Sequence, residues 1–373
     1  MNKVRLGDVA TYINGYAFKP ADRSSVGLPI IRIQDLTGNA YDLGFYDGEY
    51  PERIEINNGD VLISWSASLG VYVWNKGKAL LNQHIFKVVF DKIEIDKQFF
   101  VYAVEHSLQK MVKQTHGATM KHIIKKDFDN TLIPYPSLEQ QKSIAKLLDK
   151  TCDLIGKMKL QASSLDELIK SRFVEMFLDT AYPWIELIDL IIEGAGLSYG
   201  IVQPGDDGTG EMGVLRPVDI IDGVISMNSI KYIDRRIADG NQKTELYGNE
   251  LLITVRGTTG ITALTDKRFS GMNVTRGIAV IRYNENIVNP LYLNSFFKTE
   301  KSQRYIQENT RGATLKQINL SDLRKQQILV PPLELQNQFA DFVTKVEKQK
   351  ATVQQSIDKL ETLKKSLMQK YFG

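Results

Sequence analysis

Thr115-His116-Gly117-Ala118-Thr119-Met120-Lys121 returns 195 residues later as Thr310-Arg311-Gly312-Ala313-Thr314-Leu315-Lys316. The same shift places Gln141 on Gln336 and continues without a gap to Phe177 and Phe372. Solenoid repeats are only about 20–50 residues long, so each half of this chain is predicted to be a whole domain. Two related domains joined by related helices form a pseudo-twofold molecule. Duplex DNA, which is itself nearly twofold, is the obvious ligand.

The composition is that of a folded chain with room for two domains and connecting helices. The chain has 373 residues, of which 43% are apolar, and its 47 Lys and Arg nearly balance its 44 Asp and Glu. Attraction for an anion must therefore come from local patches. A single cysteine, Cys152, excludes an intrachain disulfide and fits a reducing compartment. No stretch approaches the roughly 18 apolar residues of a membrane span, so a cytoplasmic protein is expected.

Short β-branched runs bounded by turn residues occur at related positions in both halves. Val61-Leu62-Ile63-Ser64 corresponds to Leu251-Leu252-Ile253-Thr254, and Gly15 with Phe18 corresponds to Gly196 with Tyr199. Such runs predict strands, and the stretches between them diverge. Divergent loops on a shared scaffold are expected of two recognition domains with different targets, although neutral drift after duplication would look the same.

Each mixed domain is followed by a helical pattern after a proline-bearing turn, where a new helix can start. The predicted fold class is therefore α+β, with two tandem, similar α/β domains at 1–137 and 182–332 and long helices at 138–181 and 333–373. A helix of about 40 residues is roughly 60 Å long. We expect the helices to pack as an antiparallel coiled coil; the alternative is one amphipathic helix docked on each domain. The predicted core of the helix pair is Ile144, Leu147, Leu154, Met158, Leu165, Leu168, Phe339, Val346, Val353, Leu360, Leu363 and Leu367.

The duplicated order of domain and helix resembles the DNA-specificity subunit of type I restriction-modification systems over the whole chain. The resemblance rests on the two Thr-x-Gly-Ala-Thr-x-Lys elements, the Ile at 123 and 318, the Pro-x-Leu-Glu elements at Pro136 and Pro331, and the heptads. Each motif alone is weak, whereas their order and constant spacing are specific.

This resemblance implies a non-catalytic chain in which each target-recognition domain binds one half of a bipartite, asymmetric DNA site. The helices would set the spacer and dock two modification (methyltransferase) subunits, and two restriction (motor-nuclease) subunits can join. S-adenosylmethionine would be bound by the methyltransferase partner, and ATP and Mg by the motor partner, so this chain would hold no cofactor and no metal.

Four segments in each half carry the residue types that contact phosphates and bases. In the first domain the candidates are Tyr16, Lys19, Ser64, Trp65, Ser66, Ser68, Gln83, His84, Lys113, Thr115, His116, Gly117, Thr119, Lys121 and His122. In the second domain they are Tyr199, Gln203, Arg256, Thr258, Thr259, Arg276, Thr310, Arg311, Gly312, Thr314, Lys316 and Gln317.

Two alternatives to DNA contact stay open. The basic segment around Gly117 would also suit a solvated turn that ends a helix, and Trp65 would suit either stacking or a core position. The third aligned pair, Asn82-Gln83-His84 with Asn273-Val274-Thr275-Arg276, is weaker because a strand residue points outward only half the time.

A search for catalytic motifs gives only one partial match. Asn289-Pro290-Leu291-Tyr292 approaches the Asn-Pro-Pro-Tyr motif of adenine methyltransferases but lacks the second proline. It is better explained as a helix start, with Asn at the N-cap and Pro at the first helical position. The sequence has no phosphate-binding loop of the Gly-x-x-x-x-Gly-Lys type. The rival function is a coiled-coil adaptor whose globular domains bind proteins and not DNA.

Overall fold

The computed structural model describes residues 2–39, 44–114, 123–178, 181–205 and 210–373, with only the backbone for 112–114. The chain forms two compact units. Unit 1 comprises Met1–Lys159 and Gln355–Gly373, and unit 2 comprises Leu160–Gln354. This division differs from the segments predicted from sequence, because each unit includes one part of each long helix.

Unit 1 is built on two small sheets and a two-stranded pair. Its strands are β1 (Lys3–Arg5), β2 (Thr11–Asn14), β3 (Leu28–Ile31), β4 (Gly44–Tyr46), β5 (Glu55–Ile56), β6 (Val61–Ser64), β7 (Gly70–Val73), β8 (Ala79–Leu81), β9 (Ile85–Val89) and β10 (Leu132–Pro134). The antiparallel order β2-β9-β6-β7 forms one sheet, and β4-β3-β8-β5 forms the other, in which β3 and β8 are parallel. Strands β1 and β10 pair separately.

Most helices of unit 1 pack in one hydrophobic cluster with the first of these sheets, whereas the short helix Ile33–Thr37 packs against the second. The helices are α1 (Leu6–Val9), α2 (Ile33–Thr37), α3 (Lys97–Gln114), α4 (Lys125–Asp129) and the first part of α5 (Leu138–Phe173). Phe99 and Phe100 of α3 and Phe128 of α4 are fully buried in one cluster with Phe86 of β9. Because burial of such aromatic side chains is worth about 1.5–3 kcal/mol each, this cluster holds the sheet in position.

Unit 2 repeats this plan, and two of its strands are longer than any described strand of unit 1. Its strands are β11 (Trp184–Glu186), β12 (Ser198–Tyr199), β13 (Met212–Leu215), β14 (Ile220–Ile221), β15 (Val224–Ile225), β16 (Lys231–Ile233), β17 (Leu251–Arg256), β18 (Thr258–Leu264), β19 (Asn273–Val274), β20 (Ile278–Ile281), β21 (Thr310–Arg311), β22 (Gln317–Ile318) and β23 (Gln327–Leu329). The main sheet has the order β12-β20-β17-β22-β21, with β18 also paired to β17. A second sheet, β16-β13-β19, contains the parallel pair of β13 and β19.

The helices of unit 2 are α6 (Pro290–Phe297), α7 (Glu300–Glu308), α8 (Leu320–Arg324) and parts of α5 and α9 (Leu333–Phe372). Helix α6 starts as the sequence predicts: Asn289 is the N-cap and accepts a 2.9 Å hydrogen bond from the Leu291 amide, and proline follows the cap. Tyr292 is fully buried and donates its hydroxyl to the Leu329 carbonyl over 2.7 Å. The partial methyltransferase motif is therefore a helix cap with a core tyrosine.

A buried glutamine joins each long helix to its mixed domain. In unit 1, Gln141 accepts from the Asp96 amide at 2.9 Å and donates to the Pro136 carbonyl at 2.9 Å. In unit 2, Gln336 accepts from the Asn289 amide at 2.8 Å and donates to the carbonyls of Pro331 and Ile287. Because Asp96 and Asn289 lie at the N-termini of α3 and α6, the glutamine fixes the direction in which the long helix leaves the domain.

Within each unit, the segments of α5 and α9 contact each other. In unit 1, Lys159 Nζ lies 2.9 Å from Glu361 Oε1. In unit 2, Lys350 forms an ion pair with Asp166, and the rings of Phe173 and Phe339 are 5.4 Å apart. In unit 2 the residue numbers of these partners fall along α9 as they rise along α5, so the two segments run in opposite directions.

The predicted seam of the helices is wrong at four positions. Leu147, Leu154, Leu168 and Leu363 are 40–46% exposed. The buried line of α5 instead passes through the next residue, at Leu148 and Ile155, since this face packs against its domain as well as a helix. The remaining predicted positions are buried (Ile144, Phe339, Val346, Val353) or half-buried (Met158, Leu165, Leu360, Leu367).

Within the described ranges, no helix combines the length and apolar character needed to cross a bilayer.

Candidate nucleic-acid interface

The same backbone frame occurs in both units, where two loops meet at the end of the main sheet. In unit 1, Ser64 pairs with Ile85 and Asn14 pairs with Phe86. In unit 2, Thr254 pairs with Ile278 and Tyr199 pairs with Ala279. Since Ser64 corresponds to Thr254 in the repeat, this register makes Asn14 equivalent to Tyr199 and the following Gly15 equivalent to Gly200.

This register corrects two alignments made from sequence. Gly15 and Phe18 are not equivalent to Gly196 and Tyr199, because the insertion between the halves lies before the strand and shifts the match by four residues. The second correction concerns the segments that start at Asn82 and Asn273. The bridge of Tyr16 to Asn82 has its counterpart in the bridge of Ile201 to Thr275, so Asn82 is equivalent to Thr275. Gln83 is therefore equivalent to Arg276, and His84 to Gly277.

Gly15 and Gly200 allow two chain segments to meet at this point. A Cβ atom would lie 2.0 Å from the Asn82 carbonyl oxygen at position 15 and 2.0 Å from the Val274 carbonyl oxygen at position 200. Only glycine permits this approach. Next to it, the backbone amide of Gln83 donates to the Tyr16 carbonyl at 2.9 Å, and the backbone amide of Arg276 donates to the Ile201 carbonyl at 2.8 Å.

In unit 1 the frame surrounds a cleft of about 390 Å³ lined mainly by polar side chains. The predicted residues Ser66, Ser68, Gln83 and His84 all line this cleft. Its other lining residues are Arg32, Ile33, Gln34, Thr37, Asn39, Ala67 and Asn82. The sequence search missed Arg32, Gln34 and Asn39, for which the only signal was a polar run directly after strand β3.

Two residues of this cleft have left-handed backbone conformations that side chains rarely adopt. Ala67 has a φ of 56° and His84 a φ of 72°. In addition, His84 Nδ1 is buried and has no hydrogen-bond partner among the residues that the structure describes. Strain of about 1–3 kcal/mol per residue and an unsatisfied ring nitrogen persist mainly where they serve a site, so both observations favour a binding role for this cleft.

Ser64 is wrong as a predicted DNA contact. Its side chain is fully buried, and its hydroxyl donates to the Ser68 carbonyl. The equivalent Thr254 is also fully buried and accepts from the Ile261 amide at 3.0 Å. Both hydroxyls close the turn after the strand, which explains why they occur in both halves.

The contacts of Trp65 favour the core position over the stacking position that the sequence left open. Its ring is stacked on Phe86 at 5.6 Å and lies edge-on to His84 at 4.9 Å, while its Nε1 donates to Asn14 Oδ1 at 3.4 Å. It is packed at the edge of the core and positions His84. Tyr16 is 46% exposed and packs edge-on against Phe18 at 5.0 Å.

Lys19 is exposed, and its backbone amide donates to Asp22. The predicted contacts Thr115, His116, Gly117, Thr119, Lys121 and His122, together with the side chain of Lys113, lie outside the described residues.

In unit 2 the predicted segments converge on one face. The Gly257 amide donates to the Lys316 carbonyl at 2.8 Å, and the hydroxyls of Thr259 and Thr310 are 3.1 Å apart. Arg256 pairs with Gln317 across the sheet. The repeated Thr-x-Gly-Ala-Thr-x-Lys element therefore forms a hairpin beside the loop after β17, and Gly312 in its turn has a φ of 101°.

Other predicted residues surround this hairpin. Thr258, Arg311, Gly312, Thr314 and Lys316 are exposed, as is Gln203 in the loop after β12. Arg311 lies 3.3 Å from Asp322. Tyr199, 37% exposed, accepts from the Leu320 amide at 3.3 Å.

Arg216 of unit 2 has a structural role. Its guanidinium group forms a 3.0 Å ion pair with Asp219. The hydrogen bonds that it donates to this carboxylate raise the pKa of Arg216. Arg32 and Asp35 form the equivalent pair at 3.1 Å in unit 1. Both pairs close the turn after the first strand of the second sheet.

No group of His, Cys, Asp and Glu in the described part of the chain is arranged to hold a metal ion. The geometry instead defines a class of protein: two related α+β domains, each presenting amide, hydroxyl or guanidinium groups from loops at the edge of a sheet. These are the groups that recognise base edges and phosphates.

Comparison with known proteins agrees with this class. The family model "Type I restriction modification DNA specificity domain" matches residues 1–163 and 219–362. The chain is 26% identical over 409 aligned residues to the type I restriction enzyme EcoBI specificity subunit of Escherichia coli, with 99% of this chain and 85% of the relative covered. It is 22% identical to a putative MjaX specificity subunit of Methanocaldococcus jannaschii, covering 97% and 90%.

Among solved structures, the S subunit of a type I restriction-modification system from M. genitalium has the same fold. The TM-score is 0.56 at 13% identity, with 100% of this chain and 96% of the other covered. The chain thus belongs to the family of type I restriction-modification DNA specificity subunits. It is a non-catalytic subunit of this class.

Proposed function

We propose that this chain recognises a bipartite, asymmetric DNA site, with unit 1 binding one half-site and unit 2 the other. The observation that carries the proposal is the shared backbone frame with different side chains. Ser66 and Gln83 in unit 1 stand where Arg256 and Arg276 stand in unit 2. One docking geometry with two sets of contacts is suited to two different half-sites.

The two long helices would set the distance between the half-sites as an antiparallel coiled coil. The ion pairs Lys159–Glu361 and Lys350–Asp166 support this pairing. The helices would also dock two methyltransferase subunits, and two motor-nuclease subunits would join that complex. S-adenosylmethionine would then be bound by the methyltransferase and ATP with Mg by the motor.

The primary test is single-molecule methylation mapping in cells that express this chain with its methyltransferase partner. Deleting the gene of this chain should remove one split adenine-methylated motif. An unchanged methylome, with no preferred site in either strain, would contradict sequence recognition and favour the protein-binding adaptor.

Salt dependence separates DNA contact from protein binding. Lys316→Ala should lower the slope of log K against log salt by about 1, because one phosphate contact is lost. Lys267→Ala, an exposed lysine on a turn away from the hairpin, is the matched control. A complex whose DNA affinity did not change with salt would argue against phosphate contacts.

Heptad insertion tests the spacer. Adding whole heptads between Leu154 and Leu165 should lengthen the unrecognised gap in the methylated motif and leave both half-sites unchanged. Altered half-sites with an unaltered gap would contradict the role of the helices.

A further inference from the structure

The arginines of unit 2 fall into two groups according to their partners. Eight of them form ion pairs with carboxylates: Arg172, Arg216, Arg235, Arg236, Arg268, Arg282, Arg304 and Arg311. Arg324 donates to the Leu197 carbonyl at 2.7 Å. Among the described arginines of unit 2, only Arg256 and Arg276 have a guanidinium group with no hydrogen bond or ion pair inside the protein.

These two unpaired arginines are close to each other in the fold. Arg256 ends strand β17, and Arg276 occupies the turn that leads into β20. The Gly277 carbonyl, next to Arg276, accepts a 2.8 Å hydrogen bond from the amide of Val255, next to Arg256. Both side chains are half-buried. Because a partly desolvated cation without a partner is unfavourable, this arrangement is expected to be completed by a ligand.

The positions of these arginines argue for base contacts over phosphate contacts. A phosphate contact is useful at any sequence, and the cation at 121 and 316 is a lysine in both halves. By contrast, the counterparts of Arg256 and Arg276 in unit 1 are Ser66 and Gln83, which are neutral. The charge thus changes where the two half-sites must be distinguished, and arginine bidentate to guanine O6 and N7 is the commonest base-specific contact.

We propose, resting on the function above, that Arg256 and Arg276 are specificity residues that bind guanine in the half-site of unit 2. The neutral Ser66 and Gln83 hold the equivalent places for the half-site of unit 1. The ligand is therefore a G·C-containing half-site presented in a major groove.

The test uses the complete complex with its methyltransferase partner, with Arg256→Ala and Arg276→Ala compared by methylation mapping and by competition with DNA substituted at each position. Each variant should lose discrimination at one G·C pair by about tenfold to hundredfold, both pairs should fall in the same half-site, and the other half-site should stay unchanged. Arg268→Ala, an exposed arginine paired with Asp266, is the matched control. Arg256→Lys keeps the charge but not the rigid pair of donors, so it should keep the general DNA affinity and weaken the discrimination, which separates base recognition from misfolding.

Several outcomes would overturn the proposal. One is uniform weakening across all sequences with an unchanged motif, which would make these residues phosphate contacts. Others are effects in different half-sites, or a half-site of unit 2 that has no G·C pair. Failure of the proposed function is distinct, because the unmodified chain would then direct no motif at all.

Discussion

The two recognition domains share the bonds that shape their loops and differ in the side chains that those loops present. Gly15 and Gly200 each lie against a carbonyl of the neighbouring segment, and the loop after the matched strand has a left-handed residue in both, Ala67 in unit 1 and Gly257 in unit 2. Around this frame, unit 1 offers hydroxyl and amide groups, whereas unit 2 offers guanidinium groups. The shape of the loops is therefore carried by backbone atoms, and the specificity proposed above would be carried by side-chain atoms.

The largest expected effect comes from breaking the shared close approach. Gly15→Ala and Gly200→Ala would each force a Cβ atom to within 2.0 Å of a carbonyl oxygen. Each should lower the free energy of unfolding of its own domain by roughly 3 kcal/mol. Amide hydrogen exchange resolved by domain measures this loss. Gly156→Ala, in an open part of α5, should instead stabilise by about 1 kcal/mol. Equal effects at all three glycines would contradict the steric explanation.

Replacing the buried glutamine should lower the free energy of unfolding by a different amount in each domain. Gln336→Leu leaves three backbone groups without partners and Gln141→Leu leaves two. Each loss should be about 1–3 kcal/mol, with the larger value in unit 2. Urea unfolding of the two variants tests the order. A larger loss at Gln141 would show that the hydrogen bonds do not set the difference.

The left-handed loop residue predicts effects of opposite sign. Ala67→Gly relieves a strained φ of 56°, whereas Gly257→Ala introduces strain at a φ of 84° with no neighbour within 4 Å of the new Cβ. We expect about 1 kcal/mol of stabilisation in unit 1 and about 1 kcal/mol of destabilisation in unit 2. Thermal unfolding is the measurement. The same sign for both changes would mean that the loops are not equivalent.

The smallest expected contrast is electrostatic. In unit 2, hydrogen bonds from Arg236 lower the pKa of Asp234 from 3.8 to about 2. Because the folded pKa is depressed, the stabilising contribution is complete above pH 3.8 and is lost as the pH falls towards 2. Asp234→Asn should remove this part of the acid dependence and change neutral-pH stability little, since the pair is exposed. A carboxyl that titrates near 3.8 by NMR would contradict it.

The sequence predicted what depends on local chemistry. The helix start at Asn289 and the strands that contain Ser64 and Thr254 follow from residue type and position in the repeat. Only the structure shows that Ser66, Ser68, Gln83 and His84 line one cleft. The alignment of Gly15 with Gly196 is wrong by four residues. A match at one glycine does not reveal that residues have been inserted before the following strand. Only the strand register, through Tyr199 and Ala279, reveals it.

The heptad error has a related cause. Hydrophobic spacing of 3.5 residues identifies a long helix, but Leu147 and Leu148 both fit a seam on that helix. Which of them is buried depends on the domain beside it, and that information is not local.

The loop frame also bears on how such a chain changes over generations. The bonds that close the frame run between backbone groups, as from Gly257 to Lys316 and from Arg276 to Ile201, and do not involve the side chains at 256 and 276. Mutations at those two positions therefore carry little folding penalty. Under the proposed role of Arg256 and Arg276, new targets would be acquired one base at a time while the domain stays folded, so the evolvability of recognition would be uncoupled from stability.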